Sequence, residues 1–381
     1  MKIFVAVNGR IVESLGDNYT PTYTRIHYII NELKKFDDLE VTFIPFHQYR
    51  KKNAWTMIVN NAVKTVVAFY SARILVRDRP MVFFAYPVSL VTVQNRAIFA
   101  LSKLLNLKII LDVHDTIEQA RAVGAPRSAI SELTEEDCFK NASLISSSIK
   151  GPLWEHLREK YSVNDEKVVF VPNAVEDSLL ARFPLPYKSV DSRFNICYIG
   201  GVSKNRGVDL LVEACSELHR VYPQIKLIIF GCYGEGIAKE LKDAIEKSGF
   251  IIRREVPREQ IPSSLHDIDL FVMPYNPNEI YMSSITPTKF FEYIGTGIPT
   301  ICTKGETLMD LVVSKGILYI DYSVKDFRTA IESMIGQPAL REEMSRELMG
   351  IRRAHTWGER ADRLHGAIID MLNSKMTGEK D

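Results

Sequence analysis

Residues 281–302 read YMSSITPTKFFEYIGTGIPTIC, and this stretch says more about fold and ligand than any other part of the chain. It predicts a loop that enters a helix at Pro287-Thr288-Lys289, then a glycine-bounded turn and the β-rich run PTIC. The N-terminus of such a helix presents unpaired N–H groups at the positive end of the helix dipole, and Lys289 adds a full charge. Glu292, one turn further in, can accept two hydrogen bonds from a vicinal diol such as that of ribose. The layout fits a sugar nucleotide, although the same spacing taken alone is equally typical of a surface ion pair.

Strand-like and helix-like segments alternate along the whole chain. In the first half the β-branched or aromatic runs are KIFVAV, VTFIPF, MVFFAY, KIILDV, SLISSSI and VVFVP, and from Phe194 the pattern restarts with NICYIG, KLIIFG, FIIRREV, DLFVMP, PTICT and ILYID. Such alternation predicts parallel sheets covered by helices on both faces. A chain of 381 residues suits two such domains. We therefore predict an α/β protein with two Rossmann-like, doubly wound domains and a break within Asp177–Arg193.

Composition excludes several classes of protein. Lys plus Arg (48) nearly balance Asp plus Glu (47), so no global charge favours nucleic acid as a partner. The five cysteines form no C-x-x-C pair, which is typical of reduced thiols in the cytosol and not of disulfides or a zinc site. The apolar run near the N-terminus is too short for the core of a signal peptide and reads as a first β-strand. We therefore predict a cytoplasmic location.

Residues 50–79 are locally basic. Seven cations in this segment (Arg50, Lys51, Lys52, Lys64, Arg73, Arg77 and Arg79) stand against the single acid Asp78, around the apolar, helix-like stretch Ala54 to Val76. A transmembrane helix is rejected because Lys64 and Arg73 would lie in hydrocarbon at several kcal/mol each. Two interpretations stay open: a helix packed on a sheet with its basic end solvated, or a surface that meets an anionic membrane or a lipid-phosphate acceptor.

Two glycine-containing turns follow predicted strands of the second domain. In NICYIGGVSKNRGVDLLVEA, Gly200-Gly201 comes directly after a strand, so that a ligand can approach the backbone, while Lys204 and Arg206 can reach a diphosphate. In KLIIFGCYGEG, Gly231 ends the next strand. The alternative is an ordinary βα turn with solvated charges. Since neither domain's first strand is followed by G-x-G-x-x-G, a dinucleotide-dependent dehydrogenase is disfavoured.

Together these segments resemble the retaining GT-B glycosyltransferases, in particular the family 4-like group known as glycosyl transferases group 1. The resemblance implies the GT-B architecture, with an interdomain cleft and a C-terminal helix that crosses back to the first domain. It implies an acceptor-binding domain at residues 1–180, a nucleotide-sugar-binding domain at 190–355, and the crossing helix and tail at 356–381.

The same resemblance implies a set of nucleotide-sugar contacts, in which Glu292 binds ribose and Arg206 binds phosphate. The full set is Gly9, Gly16, Gly201, Lys204, Arg206, Gly231, Val256, Pro287, Thr288, Lys289 and Glu292. The chain departs from the family pattern at two places. The turn that usually reads G-R-x-x-x-x-K-G has Gly201 at the Arg position and Arg206 at the Lys position, and the first Glu of E-x7-E is replaced by Ser284.

In the first domain, KIILDVHDTIEQ places His114 and Asp115 at the C-terminal end of a predicted parallel strand, where ligands of doubly wound sheets collect. Family members often keep a histidine at this place, so we expect His114 to hydrogen-bond the donor sugar and Asp115 to orient it. The alternative is a structural His–Asp pair. The D-x-D motif at Asp267 and Asp269 resembles a metal site, but it lies where a helix leads into a buried strand, and neither a metal nor another cofactor is expected.

The resemblance thus implies a metal-independent, retaining hexosyltransferase. Its donor is expected to be a UDP or GDP sugar, and its acceptor a hydroxyl of a lipid-linked or polysaccharide precursor glycan. Peripheral contact with the inner face of the membrane is the open alternative to a purely cytoplasmic position. A UDP-sugar 2-epimerase of the same architecture and a non-catalytic partner subunit that keeps the nucleotide site are the alternative functions.

Overall fold

The computed structural model describes residues 1–7, 21–44, 54–78, 80–122, 132–188, 193–234, 236–257 and 260–373. The chain forms two compact units, the first comprising residues 1–172 with 357–381 and the second residues 173–356. Each unit is built on a six-stranded sheet. The predicted α/β class with two doubly wound sheets is therefore confirmed.

The sheet of the first unit is entirely parallel. Its strands are β1 (Lys2–Val5), β2 (Glu40–Phe43), β3 (Met81–Tyr86), β4 (Ile109–Val113), β5 (Leu144–Ser147) and β6 (Val168–Phe170). They lie in the order β2-β1-β3-β4-β5-β6. Every residue of β3 and β4 is buried, as expected of central strands covered on both faces.

Helices of the first unit fill the crossovers between these strands. They are α1 (Pro21–Leu33), α2 (Ala54–Asp78), α3 (Val93–Leu104), α4 (Ile117–Ala122), α5 (Glu132–Asn141) and α6 (Pro152–Tyr161). The α3 helix is preceded by a 3₁₀ turn, Val88–Val91. It begins after Thr92 because the Thr92 hydroxyl accepts the Asn95 N–H and caps it.

The second unit repeats the pattern with strands in the order β12-β11-β10-β7-β8-β9. The strands are β7 (Phe194–Ile199), β8 (Ile225–Phe230), β9 (Ile251–Arg254), β10 (Leu270–Met273), β11 (Thr300–Thr303) and β12 (Ile317–Ile320). The helices are α7 (Asp177–Arg182), α8 (Val208–His219), α9 (Lys239–Glu246), α10 (Ile280–Ser284), α11 (Thr288–Thr296), α12 (Glu306–Leu311), α13 (Val324–Gly336) and α14 (Pro338–Ile351). Counted within the unit, this is the 3-2-1-4-5-6 order of a dinucleotide-binding sheet, in which ligands gather at the carboxyl ends of the strands.

The last helix, α15 (Trp357–Asn373), belongs to the first unit and packs along α1. The Trp357 ring stacks on Tyr28 at 5.6 Å between centroids, and His365 stacks on Phe36 at 4.0 Å. The His365 imidazole also lies 2.9 Å from a carboxylate oxygen of Asp38. These two ring stacks hold α15 against α1 and against the turn that follows it.

A buried ion pair fixes α1 against the carboxyl edge of the first sheet. Arg25 is fully buried and donates through Nε and Nη2 to the two carboxylate oxygens of Asp112, at 2.9 and 2.7 Å. Its Nη1 donates to the Val171 carbonyl at 2.7 Å, and the Ser146 hydroxyl donates to Asp112 at 2.7 Å. Burial acts to raise the pKa of Asp112, but Arg25 holds that pKa below its ordinary value. Asp112 is therefore ionised, and Arg25 and Ser146 bind its carboxylate.

We predict that Arg25→Met lowers the free energy of unfolding of the first unit by about 3–5 kcal/mol, because it strands the Asp112 carboxylate in the core. Urea unfolding followed by tryptophan fluorescence reports on this unit selectively, since Trp55, Trp154 and Trp357 all lie in it. Lys35→Met is the matched control: the exposed Lys35 pairs with Glu32 close to the end of the same helix. The control is expected to stay within about 1 kcal/mol of wild type. Equal losses in the two variants would contradict the role given to Arg25.

Candidate functional site

Three turns of the second unit meet through direct backbone contact at the carboxyl edge of its sheet. A β carbon at Gly231, after β8, would lie 1.8 Å from the carbonyl oxygen of Gly200, after β7. A β carbon at Gly207 would lie 1.8 Å from the carbonyl oxygen of Pro274, after β10, and Gly207 has a φ of +65°. Only glycine fits these two positions. Packing thus accounts for Gly231, whose predicted contact with a nucleotide stays a prediction.

Arg206 lies beside the glycine turn. It ends the short 3₁₀ turn Lys204–Arg206, and its Nη1 is 3.3 Å from the β-carbon position of Gly200 and 3.5 Å from that of Gly201. Its guanidinium carbon lies 5.9 Å from the ring centroid of Tyr275. The Tyr275 hydroxyl is the main cause of a raised pKa at Arg206, which therefore keeps its charge at every physiological pH. Lys204 is exposed at the start of the same turn.

Asn173 holds in place the segment that leads into α11. The Asn173 amide donates to the Thr286 carbonyl at 2.7 Å, and the Asn173 N–H donates to the Thr286 hydroxyl at 3.1 Å. Pro287 caps α11 without a side-chain hydrogen bond, so it leaves the first N–H groups of the helix to other acceptors. The buried hydroxyl oxygen of Thr288 has no hydrogen-bond partner among the described residues. This helix start offers donors suited to an anion.

Lys289 and Glu292 form the ion pair that their spacing predicts, with Nζ and Oε2 2.9 Å apart. The pair is not a surface pair, because Glu292 is buried and Lys289 is half-buried. The carboxylate thus sits inside the first turns of α11, next to a fixed cation. Ser284, at the position where the family usually has its first glutamate, is buried on α10 and donates its hydroxyl hydrogen bond to the Ile280 carbonyl at 2.7 Å.

Tyr293 is a positioning residue that sequence analysis missed. Its hydroxyl accepts the N–H of Ile199 at 2.8 Å, and its ring stacks on Phe271 with 4.1 Å between centroids. Ile199 is the last residue of β7 and directly precedes the Gly200-Gly201 turn. The helix that carries Glu292 is therefore tied to the strand that leads to Arg206. The sequence signal that could have indicated this role is the hydroxyl of Tyr293 among the apolar residues of TKFFEYIG.

His114 and Asp115 follow β4 directly, as predicted, at the carboxyl edge of the first sheet. Asp115 accepts from the Thr22 hydroxyl at 2.8 Å and from the Gln119 amide at 2.9 Å. Neither nitrogen of the buried His114 ring has a hydrogen-bond partner among the described residues: Asp112 is 3.9 Å away and Asp115 is 3.7 Å away. Burial lowers the pKa of His114, while both carboxylates oppose this shift. The imidazole is therefore neutral at pH 7.

The remaining predicted residues are distributed as follows. Val256 lies half-buried in the loop after β9. Gly9 and Gly16 lie outside the described residues. The carboxylates of the D-x-D motif have structural partners, because Asp269 accepts from Tyr187 and from the Asn195 N–H while Asp267 pairs with Arg193. Across the described part of the chain, no group of three or more His, Cys, Asp or Glu side chains could hold a metal ion.

Residues 186–348 match the sequence family described as "Glycosyl transferases group 1". A D-inositol 3-phosphate glycosyltransferase of Segniliparus rotundus is 23% identical over 227 residues, which are 55% of this chain and 48% of that protein. The chain thus spans about half the length of this curated relative.

Several solved structures match over nearly the whole chain. Anabaena HepE, crystallised in complex with UDP, is 12% identical with a TM-score of 0.66, covering 97% of this chain and 99% of HepE. A putative UDP-N-acetylglucosamine 2-epimerase from Listeria monocytogenes is 10% identical with a TM-score of 0.58, covering 98% and 96%. At such identities the likeness shows the fold. The chain therefore has the GT-B fold, and its residues 186–348 match the glycosyl transferases group 1 family.

Proposed function

We propose that this protein is a retaining glycosyltransferase that moves a hexose-type sugar from a UDP or GDP sugar to an acceptor hydroxyl of a lipid-linked or polysaccharide precursor glycan. The observation that carries the proposal is the linked set at the carboxyl edge of the second sheet. Arg206 lies against the glycine turn, and the Ile199–Tyr293 hydrogen bond ties that turn to the helix bearing Lys289 and Glu292. This set lies inside the segment that matches the glycosyl transferases group 1 family.

The ribose and the diphosphate of a nucleoside diphosphate each have a suitable partner in this set. Glu292 can accept hydrogen bonds from the two ribose hydroxyls. Arg206, Lys289 and the first N–H groups of α11 can bind the diphosphate. The UDP bound to HepE, which shares the fold, supports a uridine nucleotide as the first ligand to test. Glycine at position 201 leaves Arg206 as the main phosphate contact on its turn, with Lys204 and Lys289 as the further cations. Gly9, Gly16 and Val256 are also assigned to the donor.

The chemical step needs no carboxylate nucleophile. The acceptor oxygen attacks the anomeric carbon while the bond from that carbon to the donor phosphate breaks, and the departing phosphate takes the acceptor's proton. Attack on the face that the phosphate leaves retains the anomeric configuration. Arg206, Lys289 and the α11 N-terminus stabilise the charge that develops on the diphosphate. Because side-chain cations and helix N–H groups meet this charge, we propose a reaction that requires no metal.

We assign His114 to a hydroxyl of the transferred sugar, with Asp115 as the residue that orients it. A neutral, buried imidazole with both nitrogens unoccupied by described residues can donate one hydrogen bond and accept another. Asp115 is fixed by Thr22 and Gln119, so its carboxylate can act as a constant neighbour of the ring. We place the reaction in the cytoplasm because all five cysteines are free thiols.

Two alternatives have specific support. The likeness to the Listeria protein named as a 2-epimerase supports epimerisation of a nucleotide sugar on the same fold. Ser284 and Gly201, which replace a glutamate and an arginine of the family pattern, support a partner subunit that binds nucleotide without turnover.

We predict that incubation with a panel of UDP and GDP sugars, without acceptor, gives slow hydrolysis of one donor at a rate unchanged by EDTA. The products are followed by nuclear magnetic resonance, which separates hydrolysis from epimerisation. Accumulation of a C2 epimer would show that the protein is an epimerase and not a transferase. Tight binding with no turnover would favour the partner subunit, and loss of hydrolysis in EDTA with recovery in manganese would overturn metal independence.

We predict that Glu292→Ala weakens binding of the preferred nucleoside diphosphate about 10- to 150-fold, which corresponds to the ~1.5–3 kcal/mol of a charged hydrogen-bond acceptor. Titration calorimetry with the nucleotide and with its 2′,3′-dideoxy analogue isolates the cause, because the variant should bind the analogue as wild type does. Glu217→Ala removes a partly exposed carboxylate of the same unit and is the control. An equal loss for both ligands would show that Glu292 does not bind ribose, and thermal unfolding checks that the variant is folded.

A further inference from the structure

The long helix α2 exposes several large apolar side chains, which is unusual for a surface helix of a globular protein. Among the α2 side chains that the structure describes, the buried ones are mostly small or polar: Asn60, Ala68, Ser71, Ala72 and Leu75. Val63, Val67 and Ile74 are half-buried. Six large apolar side chains are exposed: Trp55, Val59, Val66, Phe69, Tyr70 and Val76. Trp55 is 74% exposed and Phe69 is 67% exposed. A surface helix normally shows the opposite arrangement, so this outward face calls for a partner.

The exposed apolar residues form one continuous stripe. At about 100° per residue they fall within an arc of about 120°, and they run along a helix of 25 residues, or about 37 Å. Arg73 and Arg77 lie in the same arc near the C-terminal end, and both are exposed. The stripe therefore combines aromatic and aliphatic side chains with two cations at one end.

The one acidic side chain of α2 does not balance the helix's cations. The helix contains Lys64, Arg73 and Arg77 against the single carboxylate of Asp78, and that carboxylate lies 3.3 Å from the ammonium of Lys2. Arg50, Lys51, Lys52 and Arg79 flank the helix in the sequence but lie outside the described residues. The partner of this face must therefore supply both an apolar medium and negative charge.

We propose that the outward face of α2 docks on an anionic phospholipid bilayer. Valine and phenylalanine side chains would enter the acyl boundary, and the rings of Trp55 and Tyr70 suit the headgroup level. Arg73 and Arg77 would bind lipid phosphates, each strengthening the interaction about fivefold. The helix would lie on the bilayer, because none of the described helices has the length and apolar character of a membrane span.

A second copy of this chain fits the face less well. In a two-fold interface the stripe would meet its own copy, which carries the same two arginines and no carboxylate to compensate them. Anionic lipid supplies the missing charge. The inference is also independent of the proposed transferase activity, since it rests on a helix of the first unit alone.

Trp55 provides a direct probe of this contact. Trp154 and Trp357 are 7% and 2% exposed, so Trp55 is the one tryptophan whose environment a bilayer can change strongly. Addition of phosphatidylcholine vesicles containing phosphatidylglycerol is expected to shift the emission to shorter wavelength and to sediment the protein. Phosphatidylcholine vesicles alone should do neither, and Trp55→Phe should abolish the shift.

Two double variants test the two components of the face. Arg73→Glu with Arg77→Glu should weaken partitioning onto anionic vesicles at least about 30-fold, and Phe69→Ser with Tyr70→Ser should abolish the wavelength shift. Arg220→Glu with Arg346→Glu is the charge-matched control, because both arginines are exposed on the second unit. Val313→Ser is the corresponding exposed apolar control.

The outcome separates the candidate occupants. Binding that requires anionic lipid and both components of the stripe supports the proposal. Equal binding to neutral vesicles, or a charge-matched control as impaired as the α2 variant, would overturn it. A concentration-dependent Trp55 shift without vesicles, with doubling of the mass in solution, would assign the face to a second copy instead.

Discussion

The carbonyl oxygen of Gly200 comes so close to Gly231 that a β carbon there would lie 1.8 Å from it, and the candidate site depends on this contact. It joins the turns after β7 and β8, while Gly207 and the Pro274 carbonyl join the start of α8 to the end of β10 in the same way. Arg206 directly precedes Gly207 in the sequence, and its guanidinium lies beside the Gly200-Gly201 turn. The edge that carries the candidate site is thus formed by packed backbone, and the positively charged Arg206 lies beside it.

The two units handle charge differently at equivalent edges of their sheets. In the second unit, Arg206 and the α11 N-terminus present positive charge where the proposed diphosphate binds. In the first unit, the cation Arg25 forms an ion pair with Asp112 in the core, and the neighbouring His114 is neutral. An anion is therefore favoured by the second edge, whereas the first edge is suited to the uncharged hydroxyls of a sugar.

Local pattern was enough to predict the strands, crossover helices such as α1 and α8, the position of His114 after β4 and the Lys289–Glu292 spacing. These features follow from periodicity and from turn residues within one segment. The Arg25–Asp112 pair joins residues 87 positions apart, and the Tyr293–Ile199 hydrogen bond joins residues 94 apart, so neither leaves a periodic trace. The orientation of α2 was left open for a related reason: its apolar residues occur on several faces in sequence, and only the packing on α3 shows which of them point outward.

The most direct test of the central claim is the affinity of Arg206→Ala for a nucleoside diphosphate compared with the parent nucleoside. Titration calorimetry, with UDP and uridine or with GDP and guanosine, is expected to show a loss of about 10- to 150-fold for the diphosphate and almost none for the nucleoside. Arg220→Ala, which removes an exposed arginine of the same unit, should change neither affinity. Equal losses for the two ligands, or an unchanged affinity for the diphosphate, would contradict the placement of the phosphates at the glycine turn.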